Sequence, residues 1–555
     1  MVSTFHGLET AKRALTASQS ALYTTGHNIS NANTQGYTRQ RVDFRTTNPY
    51  NAPYGQIGTG VEPGQVIRIR ENYLDVQYRT EYNKFGYYSS ISQALAKMED
   101  IIHEPSDTGL QAVMDKFWNS LQDLANNPQN SATRQVVASN GKMFAETLNY
   151  YSNSLVRIQS DLGQEIDVKV GEINAIISQI DELNKQIATV EPHGKLPNDL
   201  YDRRDLLVDE LSKLINIEVD TVIPQQYGQP SKTAVGLYEI RIVGANGSDY
   251  GDGIKLLEVN NTTGRSSVNK LEVTTKDNGL NKPVNAIKVN GKEINNLGFG
   301  GQLGGIIKSY GYQLPGEVGS GYYPEMLENL NKLTFAFAME FNNIHTQGYG
   351  LNSDEKAQVF FDLGNEHNID RENATTDDLE KAFEYNPEIN YAQIIKVNEA
   401  IIENPSLIAA ASEKGGFSGD NDNAFELANI FSKDFSEYFT ETVNEFDEEG
   451  NVIGIKENKY GSAPSGLNGS FASFYAGLVG DLGVDAQSAV RNQENVQVLV
   501  DSVDYNRKSV SGVSLDEEIT NLVTFQHAYN ASARMITVID EMLDRIINST
   551  GIVGR

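Results

Sequence analysis

The 555 residues are enough for roughly three to four domains and a large core. The 74 Asp and Glu outnumber the 45 Lys and Arg, and the net charge of −29 repels phosphate backbones and anionic lipid, so neither nucleic acid nor a membrane is an expected partner. With no cysteine, disulfide scaffolds, thiol nucleophiles and cysteine-based zinc or iron–sulfur sites are excluded, and the densest apolar run, Phe335 to Met339, stops at Glu340, far short of a membrane span.

The first residues, Met1 to Arg13, carry no basic stretch followed by an apolar block, so by signal-peptide logic alone the protein is cytoplasmic. Met1, Leu8, Leu15, Leu22 and Ile29 recur at every seventh position, with Thr4, Ala11, Ser18 and Thr25 between them. This spacing predicts a helix with a narrow apolar seam and a small-residue flank suited to close packing. Asn28, Ser30, Asn31 and Asn33 are poor mid-helix residues, and Gly36 takes positive φ without strain, so the helix is expected to end in a turn over Asn28 to Tyr37.

Residues 73–126 read as helical. Between Pro128 and Pro192 a second heptad pattern runs: Ile166, Ile173, Ile180 and Ile187 form one row, and Leu148, Leu155, Leu162, Ile176, Leu183 and Val190 its companion, a coiled-coil signal. A helix follows over 198–215. From about 221 to 297 the period changes to alternation, as in Tyr238, Ile240 and Ile242, and Asn290-Gly291 has the form of a two-residue hairpin turn. The glycine run from Gly298 to Gly305 is expected to be a flexible joint, and Leu327 to Phe341 a core helix. Residues 351–390 and 435–464 are acidic and glycine-punctuated, which predicts surface insertions, the second turning a hairpin near Glu449-Gly450.

At the carboxyl end Leu515, Leu522, Tyr529, Ile536 and Leu543 again fall seven apart, broadened by Ile519, Val523, Phe525, Ile539 and Ile547, and Ser514 with Glu517 has capping-box spacing. Residues 1–45 carry five basic and two acidic side chains, and 511–555 three basic and six acidic. The two terminal helices therefore pair either with the body of the protein or with each other and with further copies; spacing alone leaves both open. A single apolar row offsets little of the entropy of ordering a long segment, which favours folding against a neighbour.

No constellation for catalysis emerges. The seven histidines are scattered, and none forms H-E-x-x-H. Leu303 stands where a dinucleotide-binding loop needs its third glycine. Asp420 to Asn423 begins like a calcium loop but has Phe425 in place of the turn glycine, and the stretch opening at Glu445 ends on Lys456 where the bidentate acid belongs. Neither a nucleophile elbow nor a P-loop is present. No catalytic residue, metal site or cofactor is expected, and the protein is read as a non-enzyme.

The stretch ALYTTGHNISNANTQGYTRQR, Ala21 to Arg41, resembles the amino-terminal signature of bacterial flagellar axial proteins, the rod, hook and hook-associated family, and Ser511 to Asp544 resembles its carboxyl signature. Tyr37-Thr38-Arg39-Gln40-Arg41, the segment NDLYDRRDLLVDELSKLINIEV (Asn198 to Val219), and Gly300 to Gly305 followed by His345-Thr346-Gln347-Gly348 narrow the resemblance to the hook-associated protein 1 family of hook–filament junction proteins. The resemblance implies a multidomain α+β fold. Residues 1–65 and 501–555 would form a terminal coiled-coil assembly domain, and 66–220, 298–350 and 391–500 a helical core. An inserted β domain at 221–297 and a variable insertion at 351–390 would lie outside it. It also implies type III export without a cleaved signal, an extracellular place at the hook–filament junction, and self-association into a ring or tube segment. The other partners it implies are the hook protein, the second hook-associated junction protein and an export chaperone on the helix over about 515–547. Leu8, Leu15, Leu22, Ile29, Leu522, Tyr529, Ile536 and Leu543 are the expected assembly residues, and Asn28, Asn31, Asn33, Gly36 and Tyr37 the signature turn. The alternatives are a hook or rod subunit, or an adhesin or enzyme acting through the insertions at 221–297 or 351–464.

Overall fold

The computed structural model describes residues 5–549 except 53–54, 103, 105, 245–253, 277–281, 295–299, 314–319, 352, 365–366, 368–381, 383, 415–418, 435–439, 447–451 and 460–465. Helix α1 (His6–Ser30) leads into a ribbon in which β1 (Gln40–Thr46) pairs antiparallel with β4 (Val61–Arg68), and β2 (Tyr50–Ala52) with β3 (Gly55–Ile57). Helices α2 (Asn72–Ile102), α3 (Leu110–Asn126), α4 (Ser131–Val190) and α5 (Asn198–Leu214) follow. The helical stretch anticipated over 73–126 is interrupted between Ile102 and Leu110.

Helix α4 is 60 residues long and is the spine of the molecule. Its start is capped by the Asn130 side chain, which accepts from the Ala132 amide at 2.9 Å. Ile166, Ile173, Ile180 and Ile187 are buried, as are Leu148, Leu155, Leu162 and Ile176, while Leu183 and Val190 are half-buried. No single partner helix runs along these rows. Successive parts of the seam meet α3, α6 (Gly301–Tyr310), α7 (Tyr322–His345), the sheets and α5. Heptad spacing reports that one face is apolar, not what covers it.

Two sheets lie on the carboxyl half of α4. One has the order β5-β6-β7-β8, formed by β5 (Ile217–Val222), β6 (Leu237–Ile242), β7 (Lys255–Val259) and β8 (Ser266–Val268). The other has the order β11-β10-β9, formed by β9 (Leu271–Thr275), β10 (Val284–Val289) and β11 (Lys292–Ile294). Asn290 (φ 51) and Gly291 (φ 77) make the two-residue turn read from the sequence, with Val289 opposite Lys292. Ile240, Leu257 and Ile287 belong to the same continuous apolar cluster as Ile173, Ile177 and Ile180 of α4, so the β segment shares the core of the helices.

Two expectations are corrected here. From Gly300 onward the glycine run is no joint: it opens α6, whose glycines let α2 and α5 approach. A Cβ on Gly305 would sit 2.5 Å from the Tyr87 carbonyl oxygen, and Gly301 (φ +74) lies equally close to that of Leu214. Within 351–390, Phe360 and Phe361 are fully buried and meet Phe117 and Phe341 at ring separations of 4.9 to 6.1 Å. The acidic average of that insertion had hidden its apolar Val359-Phe360-Phe361 run. Here β12 (Phe361–Asp362) pairs with β13 (Lys396–Val397). The short helices α8 (Tyr391–Ile394), α9 (Glu399–Glu403) and α10 (Asp422–Asn429) close the core with Phe337, Phe431 and Phe471. A hairpin of β14 (Thr440–Phe446) and β15 (Val452–Lys459) brackets Glu449-Gly450, the expected turn, which lies outside the described residues.

The last two helices are α11 (Phe471–Ser511) and α12 (Leu515–Ser549), linked by Gly512 to Ser514. Helix α11 runs antiparallel to α2, Arg507 lying beside Asp75 and Tyr475 beside Glu104, so the chain crosses residue 501 without a break. Helix α12 packs on α1, also antiparallel: Asn28 meets Glu518, and Gly7 meets Ile539, twenty-one residues away along each helix.

Candidate assembly interface

The paired tails use α1 in three ways. Toward α12 it turns Gly7, Ala11, Ala14, Ser18, Ala21, Thr25 and Asn28, spaced alternately four and three; Ala11, Ser18, Ala21, Thr25 and Asn28 are buried. Small residues at this spacing let the helix axes come close. Toward the ribbon it turns Thr10, which touches Gly60, and Arg13, which donates to the Thr59 carbonyl at 3.2 Å. The leucine row, Leu8, Leu15, Leu22 and Ile29, lies on the remaining flank and is only half-buried. Seven-residue spacing did identify an apolar row, but the seam that pairs within the chain is the small-residue flank beside it.

On α12, Leu522, Tyr529, Ile536 and Leu543 share a half-buried face with Phe525 and Ile539; Ile539 meets Gly7 of α1, and Phe525 the Phe44 ring of the ribbon. Glu518 is the one buried side chain among the described residues of α12. Leu515, Ile519 and Val523, then Met535, Val538, Met542 and Ile546, are exposed. Sequence reading passed over Met535, Val538 and Met542, because they fall outside the two seven-residue rows.

Behind the tails sits a buried ionic joint. Asn28 is its first member: its Oδ1 accepts from the Tyr37 hydroxyl at 2.8 Å and the Gln40 amide at 3.0 Å, and its Nδ2 donates to the Gln40 carbonyl and to Glu518. Asn31 closes the helix end, its Nδ2 donating to the His27 carbonyl; Gly36 (φ +78) makes the turn against Leu206, and Asn33 is exposed. Burial pushes the Tyr37 hydroxyl pKa up, and Asp199, Asp202 and Glu518 push it further, so it stays a donor. Arg39 then grips the start of α12, donating to Glu518 at 2.7 Å and to Glu517 at 2.6 and 3.0 Å. Its amide bonds the Ser511 carbonyl at 2.9 Å.

From there the network enters the body. Arg68 bridges Asp202 and Asp205 at 2.8 Å each; Arg70 joins Asp75 and Asp205, Arg79 joins Asp209 and Asp205, and Arg507 reaches Asp209 at 2.5 Å while lying over the Tyr78 ring. Burial alone would raise the Asp205 carboxyl; Arg70, Arg68, Arg79 and Arg204 instead hold it far below the usual carboxylate range. At Asp202 burial prevails over Arg68, and that carboxyl is raised. Sequence reading missed this joint although a signal was present. Asp202, Asp205 and Asp209 stand at i, i+3 and i+7, one helical face of three acids within the segment singled out only for its resemblance.

Among the described residues no group of three or more His, Asp or Glu could hold a metal ion, and no helix is long and apolar enough to cross a membrane. Asp420 caps the chain locally, accepting from the amides of Ser412, Glu413 and Asp422.

Along its whole length the chain is 40% identical to flagellar hook-associated protein 1 of Bacillus subtilis, with all of both chains covered. The chain belongs to the hook-associated protein 1 family. Members of this family are structural, non-enzymatic proteins of the flagellum. The relative of the same name in Salmonella typhimurium is 26% identical, over 97% of this chain and 98% of its own. Residues 95–361 match the helical domain of flagellar hook-associated protein FlgK, residues 8–38 the flagella basal body rod protein family, and 509–549 the C-terminal family of rod FlgEFG proteins. The structure of the flagellar hook junction protein FlgK from Burkholderia pseudomallei shares the fold at a TM-score of 0.52 and 15% identity, covering 80% of this chain and all of that one. The rod-type matches are confined to the two tails, and the full-length likeness sets aside the hook or rod subunit and the adhesin or enzyme.

Proposed function

We propose that this hook–filament junction protein is built into the flagellum through its two tails, residues 1–65 and α12, while the body behind them, α11 included, acts as a rigid spacer. The observation that carries the reading is the contrast on the tail pair. The α1–α12 seam is closed by small residues, yet the leucine row of α1 is only half-buried and two apolar patches of α12 are exposed. Monomeric soluble proteins rarely leave such continuous apolar surface without a partner. The buried joint from Glu518 to Arg507 supports the spacer role by fixing the angle between tails and body. In this reading the neighbours are further copies, the hook protein and the second junction protein, and α12 carries an export chaperone before assembly, its broad apolar surface suiting a helix-in-groove mode. In the same reading the protein is exported through the type III apparatus to the outside of the cell.

The test is Leu15→Asp and, separately, Ile536→Asp, expressed in cells and purified. Incorporation into isolated flagella is expected to be lost, while the thermal transition of the purified body moves by no more than a few degrees. Collapse of that transition would make these residues intramolecular core and refute the reading.

A further inference from the structure

We infer that successive copies meet face to unlike face: the leucine flank of α1 in one copy lies on the Met535, Val538 and Met542 patch of α12 in the next. This rests on the reading that the tails drive assembly and specifies which surfaces meet. The half-buried rows of α12 define its seam positions, with Leu522, Tyr529, Ile536 and Leu543 at one and Phe525, Ser532 and Ile539 at the other. In that frame Ile519 and Val523 stand on one shoulder of the helix, and Met535, Val538 and Met542 on the opposite shoulder. The seam of α1, applied the same way, puts Leu8, Leu15, Leu22 and Ile29 on a single shoulder. In an antiparallel pair that shoulder adjoins Ile519 and Val523. The ribbon occupies the other shoulder of α1 through Thr10 and Arg13.

The tail pair thus has one flank built on leucines and another built on methionines, facing away from each other. A two-fold contact would join like flanks and leave the other pair bare; a head-to-tail contact covers both and repeats along a ring or tube. Met535, Val538 and Met542 are 55%, 48% and 55% exposed, enough apolar surface for the leucine row of a neighbour to cover.

The cysteine-free chain permits a direct test. Leu15→Cys, Val538→Cys and the double variant are made in the full-length protein, flagella are isolated, and a short thiol-specific crosslinker is added. The double variant is expected to give a ladder of dimers and higher multimers, and each single variant only monomer. Dimers from either single variant alone, or no intermolecular product from the double variant, would overturn the pairing. If the double variant gives no product while Leu15→Asp still blocks incorporation, assembly through the tails stands and only the match of faces is wrong.

Discussion

Around Asp205, arginines from the end of the ribbon, from α2 and from α5 converge on one buried carboxylate, and neighbouring Asp209 is held in turn by Arg507 of α11. Along α12, by contrast, Glu518 alone is buried among the described residues, and large apolar side chains face outward. The first region is closed: its carboxylates are held by arginines within the chain, and removing one leaves others stranded. The second is open, and its side chains lose little in the monomer when changed. Stability and assembly are therefore placed in different parts of the same molecule, and substitutions should separate them.

Asp205→Ala should have the largest effect on the body. It strands buried arginines, and breaking a buried pair from one side costs about 3–5 kcal/mol; calorimetry should show a fall in transition temperature of several degrees. A drop as small as that of Leu15→Asp would erase the distinction between the two regions.

Acid should come next. His345 is wholly buried, its Nδ1 donating to the Gln358 carbonyl and its Nε2 accepting from the Ala409 amide, which fixes the neutral ring. Burial lowers its pKa from 6.5 to about 4, partly opposed by the Gln358 bond. The unfolded chain therefore takes up the proton first. The contribution of this site is complete above pH 6.5 and fades as pH falls toward 4, reaching on the order of 3 kcal/mol. Urea midpoints across that window should slope in the wild type and flatten in His345→Gln; equal slopes would place the acid sensitivity elsewhere.

Glu518→Ala removes the hold of Arg39 and Asn28 on α12 and should cost about 1–3 kcal/mol locally. Hydrogen exchange at the start of α12 should accelerate while α4 is unchanged, and a change reaching α4 would mean that tails and body unfold as one. Smallest of all should be Val538→Ser, within about 0.5 kcal/mol on the monomer's stability, as for exposed positions generally. Its expected effect lies in incorporation into flagella instead.

Much of this architecture is legible in residue order. The seven-residue rows located α1, α4 and α12, alternation located the strands, and Asn290-Gly291 located a hairpin, because helix and strand periods and turn conformations are local properties. The resemblance of both ends and of Asn198 to Val219 gave the family. What the sequence left undecided is which face meets what. The α4 rows suggested a partner helix, and the fold covers them with several elements instead. The leucines of α1 looked like its pairing seam, and the alanines, serine and threonine beside them took that place. The arginines and aspartates of the joint come from segments far apart in sequence, so their burial and charge balance arise only when the ribbon, α2, α5 and α11 are brought together. Periodicity marks a surface as apolar, but only the tertiary structure determines whether that surface is covered within the chain or left for a neighbour.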